Sequence, residues 1–260
     1  MPAIITPDGV AIAYDEAGSG EPLVLVHGIT ESRQTWDPLV APLAERFRVV
    51  RVDLRGHGES ASTAPYDLAT MAGDIGHVVA ALDLGRPLMV GHSLGGAVVS
   101  AYGASLPCCG IINVDQPLAL SGFQDALRPL EPTLRGDVAG FEGAIAAVLD
   151  SMAGALAGAE RARVEALRRP KQDVVLGIWT PLLESSAADL DALVASIGSA
   201  ITVPYLSLHG IDPGPDYGGW LAGTIKGATT EVWPDLGHYP HLVAPDRFVK
   251  RVGTFADSLL

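Results

Sequence analysis

Gly91-His92-Ser93-Leu94-Gly95-Gly96 is the stretch on which the fold turns. It lies between an apolar run over 87–92, predicted as a buried strand, and a predicted helix over 93–105. The G-x-S-x-G pattern in that context describes a sharp strand-to-helix turn. Side chains at the flanking positions would strike the neighbouring strand and helix, so glycine is required there. The turn holds Ser93 in strained backbone geometry and lifts its hydroxyl above the sheet edge. It also leaves the Leu94 N–H aimed at any oxyanion that forms. The competing readings are a glycine-rich turn used only for packing, or a phosphate loop. The second fits poorly because no Gly-Lys-Ser/Thr follows.

Outward from this turn, short apolar runs alternate with helical patterns. Residues 3–6 and 10–17 flank Pro7-Asp8-Gly9 and read as a hairpin. Strands are expected over 22–27, 47–53, 87–92 and 111–115, with helices over about 35–45, 67–83 and 93–105 between them. Residues 118–199 carry only helical patterns. A strand over 203–209, a helix near 217–226, a strand near 229–234 and a last helix over about 246–259 complete the chain. This rhythm predicts an α/β fold, a mostly parallel sheet covered by helices on both faces. Residues 1–117 and 200–260 are expected to form its core, and 118–199 a helical cap inserted between two strands.

A serine nucleophile needs a base, and position narrows the seven histidines. His238, in Asp235-Leu236-Gly237-His238-Tyr239-Pro240, follows the last predicted strand, where a loop brings an imidazole over Ser93. His27 and His209 close strands ahead of a glycine and read as loop-shaping residues. His57 reads the same way, His77 falls within a helix, and His92 is expected to point away from the serine. His238 and His241 lie three apart, but no clear third ligand makes them a metal pair. The second oxyanion donor is expected from Ile29, in His27-Gly28-Ile29-Thr30, beside Leu94.

Composition narrows the function class. The 260 residues include 17 Lys and Arg against 30 Asp and Glu, a net charge of −13. That leaves no basic footprint for nucleic acid or an anionic membrane. With 48% hydrophobic and 18% charged residues, the chain has material for a core and is not disordered. Cys108 and Cys109 are adjacent, so no disulfide framework is expected. Met1 to Thr6 shows neither the basic region nor the apolar run of a secretory leader. The expectation is a soluble, cytoplasmic monomer or homodimer.

Taken together, these residues resemble the α/β-hydrolase family over essentially the whole chain. The resemblance rests on His27-Gly28, on Asp53-Leu54-Arg55-Gly56-His57-Gly58-Glu59-Ser60, on the Ser93 turn and on Gly237-His238. It implies an eight-stranded sheet with a helical cap, Ser93 as nucleophile and His238 as base. It also implies that Asp53, Arg55 and His57 structure their loop. Most members carry the acid with two residues between it and a glycine that ends the seventh strand. In Gly210-Ile211-Asp212 only one residue intervenes, so Asp212 is displaced by one position. A minority carry the acid at the end of the sixth strand, where Asp115 stands. Asp115 is preferred, with Asp212 as the alternative.

Serine at the turn argues against members that need an aspartate nucleophile there. It suits hydrolysis of an ester or lactone through an acyl-enzyme, with neither metal nor organic cofactor. Trp179 and Phe123 are candidates to line a pocket for an uncharged, fairly hydrophobic small molecule. The cap, Asp115 and His238-Tyr239-Pro240 also look like lactone hydrolases of the zearalenone type. Alternatives are a hydrolase-fold ligand receptor, a perhydrolase or a carbon–carbon bond hydrolase.

Overall fold

The structure, a computed structural model, describes residues 2–259. Its strands are β1 (Ala3–Ile5), β2 (Ala11–Ala17), β3 (Glu21–Val26), β4 (Phe47–Val52), β5 (Leu88–His92), β6 (Gly110–Val114), β7 (Tyr205–His209) and β8 (Thr229–Val232). They form one sheet in the order β1-β2-β4-β3-β5-β6-β7-β8. The β1–β2 and β2–β4 pairs are antiparallel, and every later pair is parallel. The hairpin turns where expected, with Gly9 at φ 84° donating its N–H to the Thr6 carbonyl.

Strand periodicity divides the core into two. Val24 and Val26, Val50 and Val52, Met89, Ile111 and Tyr205 face one apolar cluster. Leu23 and Leu25, Val49, Leu88 and Val90, Ile112 and Leu206 alternate with them into the other. All residues of β5, β6 and β7 are buried. Burial on both faces explains why these strands read as continuous apolar runs rather than as alternating ones.

Helices α1 (Asp37–Ala44), α2 (Leu68–Ala81) and α3 (Leu94–Ser105) connect the parallel strands. Between β6 and β7 lie α4 (Ser121–Leu127), α5 (Glu131–Leu134), α6 (Val138–Ser151), α7 (Gly158–Leu167), α8 (Gln172–Glu184) and α9 (Ala187–Ala200). Side-chain caps start several of these: Asp67 accepts the Thr70 N–H at 2.9 Å, and Asp137 that of Gly140 at 2.8 Å. α9 packs against α3 and against α10 (Tyr217–Thr224), in the layer that flanks the sheet. The chain ends with α11 (Pro240–Val243) and α12 (Pro245–Asp257). Hydrophobic periodicity does not predict the single turn α11. Pro240 starts it, a residue whose fixed φ suits the first helical position.

Both cysteines are free, and Cys108 is buried. Among the described residues, no helix is long and apolar enough to cross a membrane.

Candidate active site

Ser93 joins β5 to α3 with φ 51° and ψ −124°, outside the regions open to most L-residues. The glycines around it are sterically required. A Cβ on Gly91 would lie 2.1 Å from the Gly95 carbonyl oxygen, and one on Gly95 would lie 2.3 Å from that of Val26. On Gly96 it would meet Asn113 Oδ1 at 2.3 Å. The strained turn is held by hydrogen bonds from Ser93 N–H to the Val114 carbonyl at 2.9 Å and from Gly96 N–H to the Ser93 carbonyl at 2.7 Å.

His238 enters from the loop after β8 and is 6% exposed. Its Nδ1 donates to Asp115 Oδ2 at 2.7 Å. Asp115 follows β6 at φ 53°, and its other oxygen, Oδ1, accepts the N–H groups of Gly210 at 2.7 Å and Ile211 at 3.0 Å. Burial opposes ionisation of this carboxyl. The hydrogen bond and charge of His238, with the two backbone donors, outweigh burial and hold Asp115 below its ordinary range. Asp212 is exposed and bonds instead to the Gly214 N–H at 2.8 Å. His238 therefore meets Asp115 and not Asp212. The loop after β7, where the acid would more often stand, supplies the N–H cradle for Asp115. Gly210 permits the approach, since its Cβ would lie 2.1 Å from the Gly237 carbonyl oxygen.

The loop after β3 closes on the serine from the other side. A Cβ at Gly28 would lie 3.2 Å from Ser93 Cβ, from His92 Nδ1 and from Glu31 Oε2. Ile29 is buried, and Thr30 takes φ 64°. His27 shapes this loop. Its Nδ1 bonds the Gly28 carbonyl at 2.7 Å, and its Nε2 accepts the Leu54 N–H at 3.1 Å. Leu94 N–H is the first of α3, a position without an intrahelical acceptor.

Asp53, Arg55 and His57 act as scaffold. Asp53 accepts the backbone N–H groups of Arg33 at 2.6 Å and Glu59 at 2.9 Å, and the Arg33 guanidinium. Arg55 grips both oxygens of Asp74 at 2.6 Å. His57 donates Nδ1–H to the Arg55 carbonyl at 3.0 Å, and burial pushes its pKa down to about 3. Gly58 is obligatory, because its Cβ would sit 2.2 Å from Asp53 Oδ2.

Two buried polar residues make contacts that the sequence does not predict. Glu31, 2% exposed, accepts the Tyr239 O–H at 2.8 Å and the Gly28 N–H at 3.2 Å. His92, fully buried, donates Nε2–H to the His238 carbonyl at 2.8 Å. The sequence predicts only that His92 points away from Ser93, and not this bond to the histidine loop. His241 lies among Trp36, His92 and Phe248, with neither ring nitrogen hydrogen-bonded. Among the described residues, no group of three His, Cys, Asp or Glu is arranged to hold a metal ion.

Trp179 on α8 is buried, and its ring meets Phe123 edge-on at 5.8 Å. Both pack in the apolar cluster that also contains Ile29 and Leu94. Connections between the inserted helices contact the loops after β3 and β8 through backbone. His238 N–H donates to the Met152 carbonyl at 2.8 Å, and Arg169 N–H to that of Thr30 at 2.8 Å. Gly154 abuts Gly237 so closely that a Cβ on Gly154 would lie 2.4 Å from Gly237 Cα.

A mostly parallel sheet covered on both faces, with a strained serine and an Asp-paired histidine beyond its carboxyl edge, defines the hydrolase class built on such sheets. The chain belongs to the alpha/beta hydrolase family, whose model matches residues 23–251. It is 30% identical to a non-heme haloperoxidase of Rhodococcus erythropolis, over 92% of this chain and 93% of that one. An uncharacterized protein of Mycobacterium tuberculosis is 40% identical over 103 residues, 39% of this chain but only 30% of that protein's length. The solved structure of Est816, described as an N-acyl homoserine lactone degrading enzyme, superposes with a TM-score of 0.77. It is 24% identical and covers 98% of this chain and 100% of that one, a likeness in fold.

Proposed function

We propose that this protein hydrolyses carboxylic esters or lactones of uncharged, hydrophobic small molecules through an acyl-enzyme. The observation that carries the reading is the 2.7 Å bond from His238 Nδ1 to buried Asp115. It fixes the proton on Nδ1 and leaves Nε2 with a lone pair, the tautomer that a general base needs. Ser93 Oγ attacks the substrate carbonyl carbon while His238 Nε2 takes its proton. The oxyanion receives hydrogen bonds from Ile29 and Leu94 N–H. Collapse expels the alkoxide, which regains the proton from His238. Water, deprotonated by the same imidazole, then releases the acid and frees Ser93. Helices α4 to α8 form the lid in this reading, with Trp179 and Phe123 on its apolar wall.

Short-chain nitrophenyl esters and a fluorophosphonate probe test it. Ester turnover and covalent labelling are expected in the native protein and lost in Ser93→Ala, with the fold retained. Turnover or labelling that persists in folded Ser93→Ala refutes the proposal.

The full-length similarity to a haloperoxidase favours one second reading. Here acetic acid acylates Ser93 with loss of water and hydrogen peroxide replaces water at the acyl-enzyme, so that acetic acid and hydrogen peroxide yield peracetic acid and water, and the peracid oxidises added bromide to the brominating species. Bromination of a dye that needs acetate, peroxide and Ser93, and that outruns ester hydrolysis, would favour it.

A further inference from the structure

One polar cluster lies beneath the site and touches three segments that the proposed reaction uses. Glu31 belongs to the loop after β3, His92 to the serine turn, and Tyr239 adjoins His238. Glu31 Oε1 accepts from Tyr239 and Oε2 from Gly28, the residue before the oxyanion donor Ile29. His92 Nε2 must carry a proton, because it donates to the His238 carbonyl. His92 Nδ1 then stands at an ion-pair distance of 3.5 Å from Glu31 Oε2, with both side chains at most 2% exposed and no hydrogen-bond partner for that nitrogen. Two lone pairs facing each other in so dry a place would repel strongly. One proton therefore lies between the two groups, and the pair is neutral overall whichever atom holds it.

We propose that Glu31 and His92 are positioning residues. Their shared buried proton locks the oxyanion loop, the serine turn and the His238 loop into one register. The proposal rests on the serine-hydrolase reading above. It deepens that reading by assigning the alignment of base and oxyanion donors to a pair that does not touch substrate.

The electrostatic surroundings agree. Burial would raise the Glu31 carboxyl. His92 first, then Tyr239 and His27, more than reverse that and hold it well below the usual carboxylate range. The other titratable groups around the pair are His238 and His241, whose rings lie 4.7 and 4.5 Å from that of His92, and Arg168 beside Tyr239. None of these is a carboxylate, so Glu31 is the acidic group that faces the His92 ring.

Two substitutions separate positioning from packing. In Glu31→Gln the amide cannot accept from both Gly28 and Tyr239 and also meet a protonated His92 Nδ1. In His92→Gln the amide nitrogen replaces Nε2 and keeps the bond to the His238 carbonyl, but no proton is held. Steady-state ester hydrolysis and thermal melts would be measured for both single variants and the double variant. For Glu31→Gln, kcat is expected to fall about 10²-fold with KM changed less than about threefold, the mark of misaligned reacting groups in a folded enzyme. The double variant, which needs no shared proton, is expected to recover at least about tenfold of that loss. A folded Glu31→Gln within about threefold of native kcat overturns the proposal, as does a loss confined to KM or a double variant no better than Glu31→Gln. Should Glu31→Gln fail to fold, His92→Gln decides: kcat lowered at least about tenfold supports the pair, and a smaller change overturns it. Fluorophosphonate labelling of native Ser93 keeps the outcomes distinct. Its absence defeats the hydrolase reading, whereas its presence with an indifferent pair defeats only this inference.

Discussion

The Asp115→Asn substitution tests the proposed chemistry most sharply, because the surrounding donors dictate how the new amide must sit. Asp115 Oδ1 faces two backbone N–H groups, from Gly210 and Ile211, and neither can turn away. The asparagine oxygen must take that position, so its NH₂ faces His238 Nδ1 where a carboxylate oxygen now accepts. An NH₂ cannot accept a proton bond. His238 is forced to accept at Nδ1 and to carry its proton on Nε2, where a lone pair is needed to deprotonate Ser93. The side chain hardly changes in volume, so the fold is kept while the base is disabled. The cost is that of a wrong-tautomer triad, about 10⁴ in kcat, or about 5.4 kcal/mol of transition-state stabilisation. Nitrophenyl ester hydrolysis gives the rate, and circular dichroism melts check folding. Asp212→Asn is the internal control. Asp212 is exposed and bonds only its own loop, at the Gly214 N–H, so its rate is expected to stay within about twofold of native. A folded Asp115→Asn that keeps more than about a tenth of native kcat would refute the tautomer argument, as would a larger loss in Asp212→Asn.

Other perturbations follow from the same geometry. Gly95→Ala puts a methyl 2.3 Å from the Val26 carbonyl oxygen, and soluble, folded expression is expected to drop sharply; a normal melt would show that the turn can relax. Gly154→Ala adds a methyl against Gly237 at φ 57°, and the left-handed backbone alone costs about 1–2 kcal/mol. Ester hydrolysis should fall as well, because the displaced segment leads directly to His238; unchanged kcat would count against that coupling. Stability should also decline below neutral pH. Burial keeps His57 at about 3 and His209 at about 4 in the folded state, against 6.5 when exposed. Below pH 6.5 the unfolded chain therefore binds protons that the folded one refuses, so stability is lost as pH falls. From pH 6.5 to 5 each residue contributes a loss of about 1.6 kcal/mol. Urea unfolding at pH 7 and pH 5 reads the loss, and His57→Gln should flatten it; identical slopes would contradict the assignment.

Much of this fold is legible in the chain, because its main signals are local. Strands buried on both faces make unbroken apolar runs, and Gly91 and Gly95 of the Ser93 turn stand where a Cβ would meet backbone at near 2 Å. The Asp53–Ser60 loop is equally local, with Gly58 pressed onto Asp53. The choice between Asp115 and Asp212 is not local. It depends on where the Gly210 and Ile211 N–H groups point, and sequence spacing does not encode that direction. Glu31 and His92 were harder still. Glu31 is one of 30 acidic residues, and the partner of His92 Nε2 is a backbone carbonyl 146 positions away. Backbone carbonyls carry no sequence signature. The one available hint is a carboxylate three residues past Gly28, in a stretch that proves wholly buried.

The hydrogen bond from His238 N–H to the Met152 carbonyl has a consequence for diversification. A segment that shapes which molecules enter is, in most architectures, free to be exchanged like a tool head. Here the backbone of that segment also props the imidazole. Under the proposed function, grafting residues 121–184 from another member would therefore transplant selectivity and disturb the base in a single event. Lineages that retain speed are expected to vary side chains on these helices while preserving the short main-chain seam between 152–154 and 236–238, which makes that seam the boundary to respect in building chimeras.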